Sequence, residues 1–206
     1  LLGAEVTELA HEKFQNLFGG ARILVPQCPT YWMDGDGQRT NFVNNSILAD
    51  GTSYYTESLH ELICSYRDEV NADRVIITGC SNGGYMTMLL AKTYGAEFNA
   101  YVPVCEAMED AFLTDEDIQS MKDLPMFFIY AKNDPLVTPD TFEIPTIERL
   151  KAAGAQNLHV YAPEDVHDLS GRFTNEAGDP YQYYGHGSWQ YFFNYEAICD
   201  EDGVSC

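Results

Sequence analysis

Five short runs rich in β-branched and aromatic residues alternate with segments of helical periodicity, and this alternation is what most narrows the fold of the chain. The runs are residues 22–26 (RILVP), 74–78 (RVIIT), 101–105 (YVPVC), 126–131 (MFFIYA) and 158–162 (LHVYA). Consecutive apolar residues suit strands that are buried on both faces, and strands separated by helices pair in parallel. The first run is stopped by Pro26, and residues 27–45, rich in Gly, Asp and Asn, read as a loop. Tyr55, Leu59, Leu62, Ile63, Tyr66 and Val70 recur at spacings of three and four, which predicts a helix over 52–70 with one apolar face. Further helices are expected over 83–94, with Gly95 just past its end, over 144–153, closed by Gly154, and over 188–198. Thr114 is a suitable N-cap for a short acidic helix or loop. No repeat, low-complexity block or long linker interrupts this order, so residues 1–206 read as one domain.

Composition removes several classes of function. Lys plus Arg number 11 against 32 Asp plus Glu, a formal charge of −21. Such a polyanion repels phosphate backbones and anionic lipid, which argues against nucleic-acid binding. A hydrophobic content of 45% with 13% aromatic residues is too high for a disordered chain. The longest clean apolar run, 126–131, falls far short of the ~18 residues a membrane span needs.

The chain opens Leu1-Leu2-Gly3, without an initiator Met, a basic segment or an apolar signal stretch, so the reading is that this is not the native start. Six cysteines (28, 64, 80, 105, 199 and 206) permit disulfides, while no CxxC spacing points to zinc or to redox chemistry. Cys80 and Cys105 lie in apolar runs and read as buried thiols, Cys80 unpaired; Cys199 and Cys206 are the pair most readily bridged. The acidic, Tyr-rich composition and the acidic tail lean towards an extracellular location.

The sharpest local signal is Gly79-Cys80-Ser81-Asn82-Gly83, a G-x-S-x-G set between the run RVIIT and the helical segment GGYMTMLLA. A strand, a strained turn and a helix in that order form a nucleophile elbow. Glycines two residues either side of the serine are needed there because side chains would collide with the neighbouring strand or helix. The turn lifts the Ser81 hydroxyl above the sheet, over a helix N-terminus whose dipole favours negative charge. The Asn82 backbone N–H then points to where an oxyanion would form.

A nucleophilic serine needs a base, and the base needs an orienting carboxylate. The acid candidate is Asp134 in Ala131-Lys-Asn-Asp-Pro-Leu-Val137, directly after the fourth run, where open-sheet sites lie. Asp140 is the second candidate, although Pro139 gives it the look of a helix cap. Of the five histidines, His11 and His60 fall in helical patterns before the serine, and His159 is a strand side chain. His167 and His186 both follow the last run. His186 has the better setting, between two glycines at the start of the closing helix.

Taken together, the G-x-S-x-G elbow, the Asn-Asp-Pro-Leu-Val loop and the ending Gly-His-Gly-Ser-Trp-Gln-Tyr-Phe-Phe-Asn resemble the α/β-hydrolase superfamily. More narrowly, the chain resembles the prolyl-oligopeptidase-like esterases, related to feruloyl esterases and polyhydroxybutyrate depolymerases. In these a His-x-Ser-Trp-x-Tyr segment carries the catalytic histidine, which here is His186. The stretch Val25-Pro-Gln-Cys-Pro-Thr-Tyr-Trp32 is also similar to a loop found in them. The resemblance covers nearly the whole chain. It implies an α/β-hydrolase fold, a mostly parallel sheet with helices on both faces. It also implies a Gly-rich loop supplying the second oxyanion N–H, for which Leu2-Gly3-Ala4 is a poor match, so the expectation is an N-terminally truncated form of the fold, or one whose first strands come from elsewhere.

The implied function is a serine esterase cleaving carboxylic esters through an acyl-enzyme intermediate. Ser81 attacks the carbonyl, His186 acts as base and then acid, Asp134 orients the imidazole, and the Asn82 N–H is one oxyanion donor. No metal or organic cofactor is implied, and the substrate is a small-molecule or carbohydrate-linked ester. A serine peptidase of the prolyl-oligopeptidase type would use the same triad. A non-catalytic binding module on the same scaffold is a third possibility, suggested by the missing loop and by Trp32 and Trp189 as exposed aromatics. Asp34-Gly-Asp-Gly37 begins like a calcium loop but continues Gln38-Arg39, wrong for an EF-hand, and Asn44-Asn45-Ser46 is a glycosylation sequon of little weight.

Overall fold

The computed structural model describes residues 4–43, 46–197, 200 and 203. A short helix α1 (Glu12–Leu17) precedes a two-stranded antiparallel hairpin, β1 (Phe42–Val43) with β2 (Ser46–Ile47). The hairpin falls largely within the stretch expected to be loop. The main sheet contains β3 (Ile76–Cys80), β4 (Ala100–Val104), β5 (Met126–Ile129) and β6 (Leu158–Tyr161), in sequence order and all parallel. Four of the five expected strands are therefore present. Residues 22–26 are not the fifth, because they pair with no strand among the described residues, and a strand exists only through a ladder partner. The apolar run reports burial alone: Leu24 packs half-buried against the main core.

The crossovers are helical, as parallel pairing demands. Helices α2 (Thr56–Val70), α3 (Asn82–Tyr94), α4 (Asp115–Met121) and α5 (Glu143–Ala152) connect or precede the strands, and α6 (Trp189–Phe193) follows them. Along β5, Met126 and Phe128 join the large core beneath α2–α5, while Phe127 and Ile129 face the opposite cluster under Trp189 and Phe192 of α6. Period-two alternation thus serves two apolar layers, and both faces of the sheet are covered. Strand β3, at the sheet edge, is the exception: Ile76 is 45% exposed.

Local chemistry sets the helix ends. Thr114 caps α4 in a capping box, its hydroxyl accepting from the Asp117 N–H (3.1 Å) while the Asp117 carboxylate accepts from the Thr114 N–H (2.9 Å). Helix α2 starts four residues later than expected and buries Leu59 and Ile63, but Leu62 is exposed. The closing helix is much shorter than expected, ending at Phe193 with Tyr195 at a φ of 58°. No helix among the described residues is long and apolar enough to cross a membrane.

Candidate active site

The turn between β3 and α3 is strained where the sequence requires it. Ser81 has a φ of 56°, a left-handed backbone that a residue with a Cβ adopts only at a cost of about 1–3 kcal/mol. Its N–H donates to the Val104 carbonyl (2.9 Å), and its carbonyl accepts from Tyr85 (2.9 Å) and Ala107 (3.3 Å), so β4 and α3 together hold the turn. A Cβ on Gly79 would lie 2.4 Å from the Gly83 carbonyl oxygen, as the close turn implies. The second steric constraint differs from the one expected. A Cβ on Gly83 meets nothing within 4 Å, whereas one on Gly84 would lie 2.6 Å from Cα of Glu106. The helix packs against the end of β4 through Gly84.

Asn82 is the first residue of α3, so its N–H has no intrahelical acceptor and is directed out of the helix end. Its side chain accepts from the Met33 N–H (3.2 Å), which ties the Trp32–Met33 segment to the elbow. Trp32 and Trp189, expected to be exposed, are each half-buried. The Trp32 ring packs edge-on against Tyr55, and Trp189 packs edge-on against the His186 ring at 5.5 Å.

The expected acid and base meet. Asp134, 3% exposed, lies just after β5, where Oδ1 accepts from the Leu136 (2.8 Å) and Val137 (3.0 Å) N–H groups. Its other oxygen, Oδ2, is 2.6 Å from Nδ1 of His186, which is 6% exposed. Gly185 makes this approach possible: a Cβ there would lie 2.5 Å from the Asn133 carbonyl oxygen. The other candidates point elsewhere. Asp140 is exposed in the turn before α5, and Nδ1 of His167 is bound to Asp165 (2.7 Å). His159 is a strand side chain, as expected, held by Asp200 (2.7 Å). Among the described residues the Ser81 hydroxyl makes no hydrogen bond, to His186 or to another group. The structure thus joins Asp134 to His186 and places Ser81 on the neighbouring β3–β4 edge without closing the last link.

Three titratable groups lie beside the site, of which the sequence reading named only Cys105, as a buried thiol. Cys105, fully buried at a φ of 36°, brings its sulfur within 4.8 Å of ligand atoms of both Asp134 and His186, and burial pushes its thiol pKa up. Glu106, at the carboxyl end of β4, and Glu143, in the first turn of α5, are buried carboxyls. Glu106 Oε2 accepts from the Met108 N–H (2.6 Å), while among the described residues no hydrogen bond satisfies its Oε1 or either Glu143 oxygen. Burial pushes both carboxyls above the usual carboxylate range, and for Glu143 the charges of Glu106 and Asp134 push further. Position at a strand's carboxyl end was a usable signal for Glu106. None existed for Glu143, whose burial depends on the packing of α5. Cys80 is half-buried rather than fully buried, and Cys199, Cys206 and the Asn44–Asn45 part of the sequon lie outside the described residues.

No family model matches the chain, and no curated protein matches it. Among solved structures it is similar to a thermostable esterase, with 22% identity and a TM-score of 0.68 over 94% of this chain and 46% of that one. The chain therefore spans about half the length of that esterase. Weaker likenesses are to an α/β-hydrolase enzyme from the sediment metagenome of the Mar Chica lagoon, Morocco (18% identity, TM-score 0.47, 78% and 74% coverage), and to a siderophore hydrolase from Aspergillus nidulans (14%, 0.33, 72% and 56%). The fold is that of the α/β-hydrolases.

Proposed function

We propose that the chain is the catalytic domain, or part of it, of a serine hydrolase that cleaves carboxylic esters. The observation that carries this reading is the buried Asp134–His186 pair, with the strained Ser81 on the same carboxyl edge of the sheet. The Asp134 carboxylate accepts a hydrogen bond from the Nδ1–H of His186, which holds that proton on Nδ1 and leaves Nε2 with a lone pair, the tautomer a general base requires. Nε2 takes the Ser81 proton as Oγ attacks the ester carbonyl. The oxyanion forms against the Asn82 N–H and the positive end of α3. Asp134, already satisfied by two backbone N–H groups, stabilises the imidazolium, which then returns its proton to the leaving alcohol. Water repeats the sequence on the acyl-enzyme. The link from Ser81 to His186, not hydrogen-bonded at rest, closes in the reactive complex, as triads often do. The similarity in fold to an esterase agrees with an ester substrate. An uncharged small-molecule or carbohydrate-linked ester suits a domain of charge −21 better than an anionic one.

The test is reaction with a fluorophosphonate probe, followed by hydrolysis of p-nitrophenyl esters and of peptide amides. Labelling at Ser81 that is lost in Ser81→Ala, with turnover of esters and not amides, is the expected result. Turnover of amides would make the protein a peptidase, and absence of labelling would favour a binding role.

A further inference from the structure

Away from the elbow, three side chains of different chemistry converge on one point. His60 and Cys64 are four residues apart on α2 and so share a face of the helix. Glu97 reaches the same point from the short turn after α3. The three distances all involve the same three atoms. His60 Nε2 is 2.9 Å from Glu97 Oε1, and Cys64 Sγ is 3.4 Å from each of them. These atoms form one closed triangle.

We propose that His60, Cys64 and Glu97 form a binding site for a zinc-type divalent cation, with the fourth position open to water.

The size of the triangle supports this. Zinc bonds of about 2.0–2.1 Å to nitrogen, 2.0–2.2 Å to oxygen and 2.3 Å to sulfur, in a tetrahedron, separate ligand atoms by roughly 3.3–3.6 Å. Each edge needs to lengthen by only a few tenths of an ångström, well within what the Glu97 side chain, 40% exposed, can yield. The ligand set selects the metal class: a thiolate and an imidazole with one carboxylate disfavour calcium and magnesium, which take oxygen, and favour zinc or cobalt(II). The imidazole is held ready, since the His60 ring stacks flat on Tyr94 at 3.7 Å and 8°. Cys64 is a free thiol, which loses its proton to solvent as the sulfur takes the metal. Arg67, on the same helix, has its Nε committed to Asp68 (2.8 Å), and the charges of Glu57 and Glu61 act on Tyr94, the ring that His60 stacks on. The bound ion would clamp α2 to the turn that leads into β4. None of its ligands belongs to the proposed triad, so this site stands or falls separately from the ester reading.

Cobalt(II) titration of the metal-stripped chain tests the proposal, with zinc as competitor. One equivalent of cobalt should give tetrahedral d–d absorption and a thiolate-to-cobalt charge-transfer band, both displaced by zinc. Cys64→Ser should abolish the charge-transfer band, and Glu97→Gln and His60→Ala should each weaken binding at least about tenfold. Zinc should raise the melting temperature of the parent chain and leave that of Cys64→Ser unchanged. No one-equivalent band, or a band that persists in Cys64→Ser, overturns the proposal, the second outcome assigning the metal to another cysteine.

Discussion

Nδ1 of His186 lies 2.6 Å from Oδ2 of Asp134, although 52 residues separate them in the chain. Two loops that leave neighbouring parts of one sheet edge bring them together, and Gly185 sets how closely the loops approach. Because Oδ1 of Asp134 is occupied by the Leu136 and Val137 N–H groups, only Oδ2 is left for the imidazole, which fixes the geometry of the pair.

That division of labour makes Asp134→Asn informative. The amide oxygen can keep both backbone bonds, but the amide NH2 would face Nδ1 and force the imidazole proton onto Nε2, the wrong tautomer for a base. The expected result is a folded protein with kcat on an activated ester lower by about 10⁴. A loss below tenfold would show that Asp134 does not orient the base.

His186→Ala and His167→Ala separate the two candidate bases. With His167 bound to Asp165, its loss should leave ester turnover close to the parent value, whereas loss of His186 should cost ~10³–10⁴ in kcat. Steady-state kinetics on the two variants decides between them, and the reverse order would move the base to His167.

The elbow gives a steric contrast within one dipeptide. Gly84→Ala drives a methyl group to 2.6 Å from backbone of Glu106 and should destabilise the fold by roughly 1–3 kcal/mol. Gly83→Ala meets nothing within 4 Å and, in a helical first turn, should change stability by no more than about 1 kcal/mol, in the stabilising direction. Urea midpoints of the two variants would show equal losses if the stated packing were wrong.

The buried carboxyls predict a pH dependence of stability. Unfolded, Glu106 and Glu143 titrate in the ordinary carboxylate range, and folded they hold their protons to higher pH. Their contribution is therefore complete below the unfolded pKa and is lost as pH rises towards the folded value. The fall is at most about 1.4 kcal/mol per pH unit for each group. Glu143→Gln, neutral at every pH, should give a shallower decline in urea stability between about pH 5 and about pH 8. Parallel slopes for parent and variant would refute a neutral Glu143 in the folded state.

Thr114→Ala removes one half of the α4 capping box and should cost about 1 kcal/mol, measurable as a lower urea midpoint with an unchanged slope. No change would mean that the helix end is set by packing of Ile118 and Met121 alone.

Much of this protein is legible along the chain because its signals are local. Continuous apolar runs, apolar residues at spacings of three and four, Thr114 before an acidic turn, and glycines around Ser81 act over a few residues, and they suffice for the existence of β3–β6, of α2–α5 and of the elbow. Residues 22–26 show the limit: an apolar run registers burial, but a strand also needs a neighbour, which lies elsewhere in the chain. The same holds for side chains. Sequence order and loop setting named Asp134 and His186, yet whether their atoms come within hydrogen-bonding distance depends on two loops packing at Gly185. The choice of Gly84 over Gly83 as the packed glycine depends on where β4 ends, and the burial of Glu143 on how α5 lies against the acid loop. His60 and Cys64 share a helix face by spacing alone, but Glu97 joins them only because α3 returns the chain to α2. Local propensity is a property of a segment. Contact is a property of the packed whole, since it requires two segments to bury surface against each other at a fixed distance.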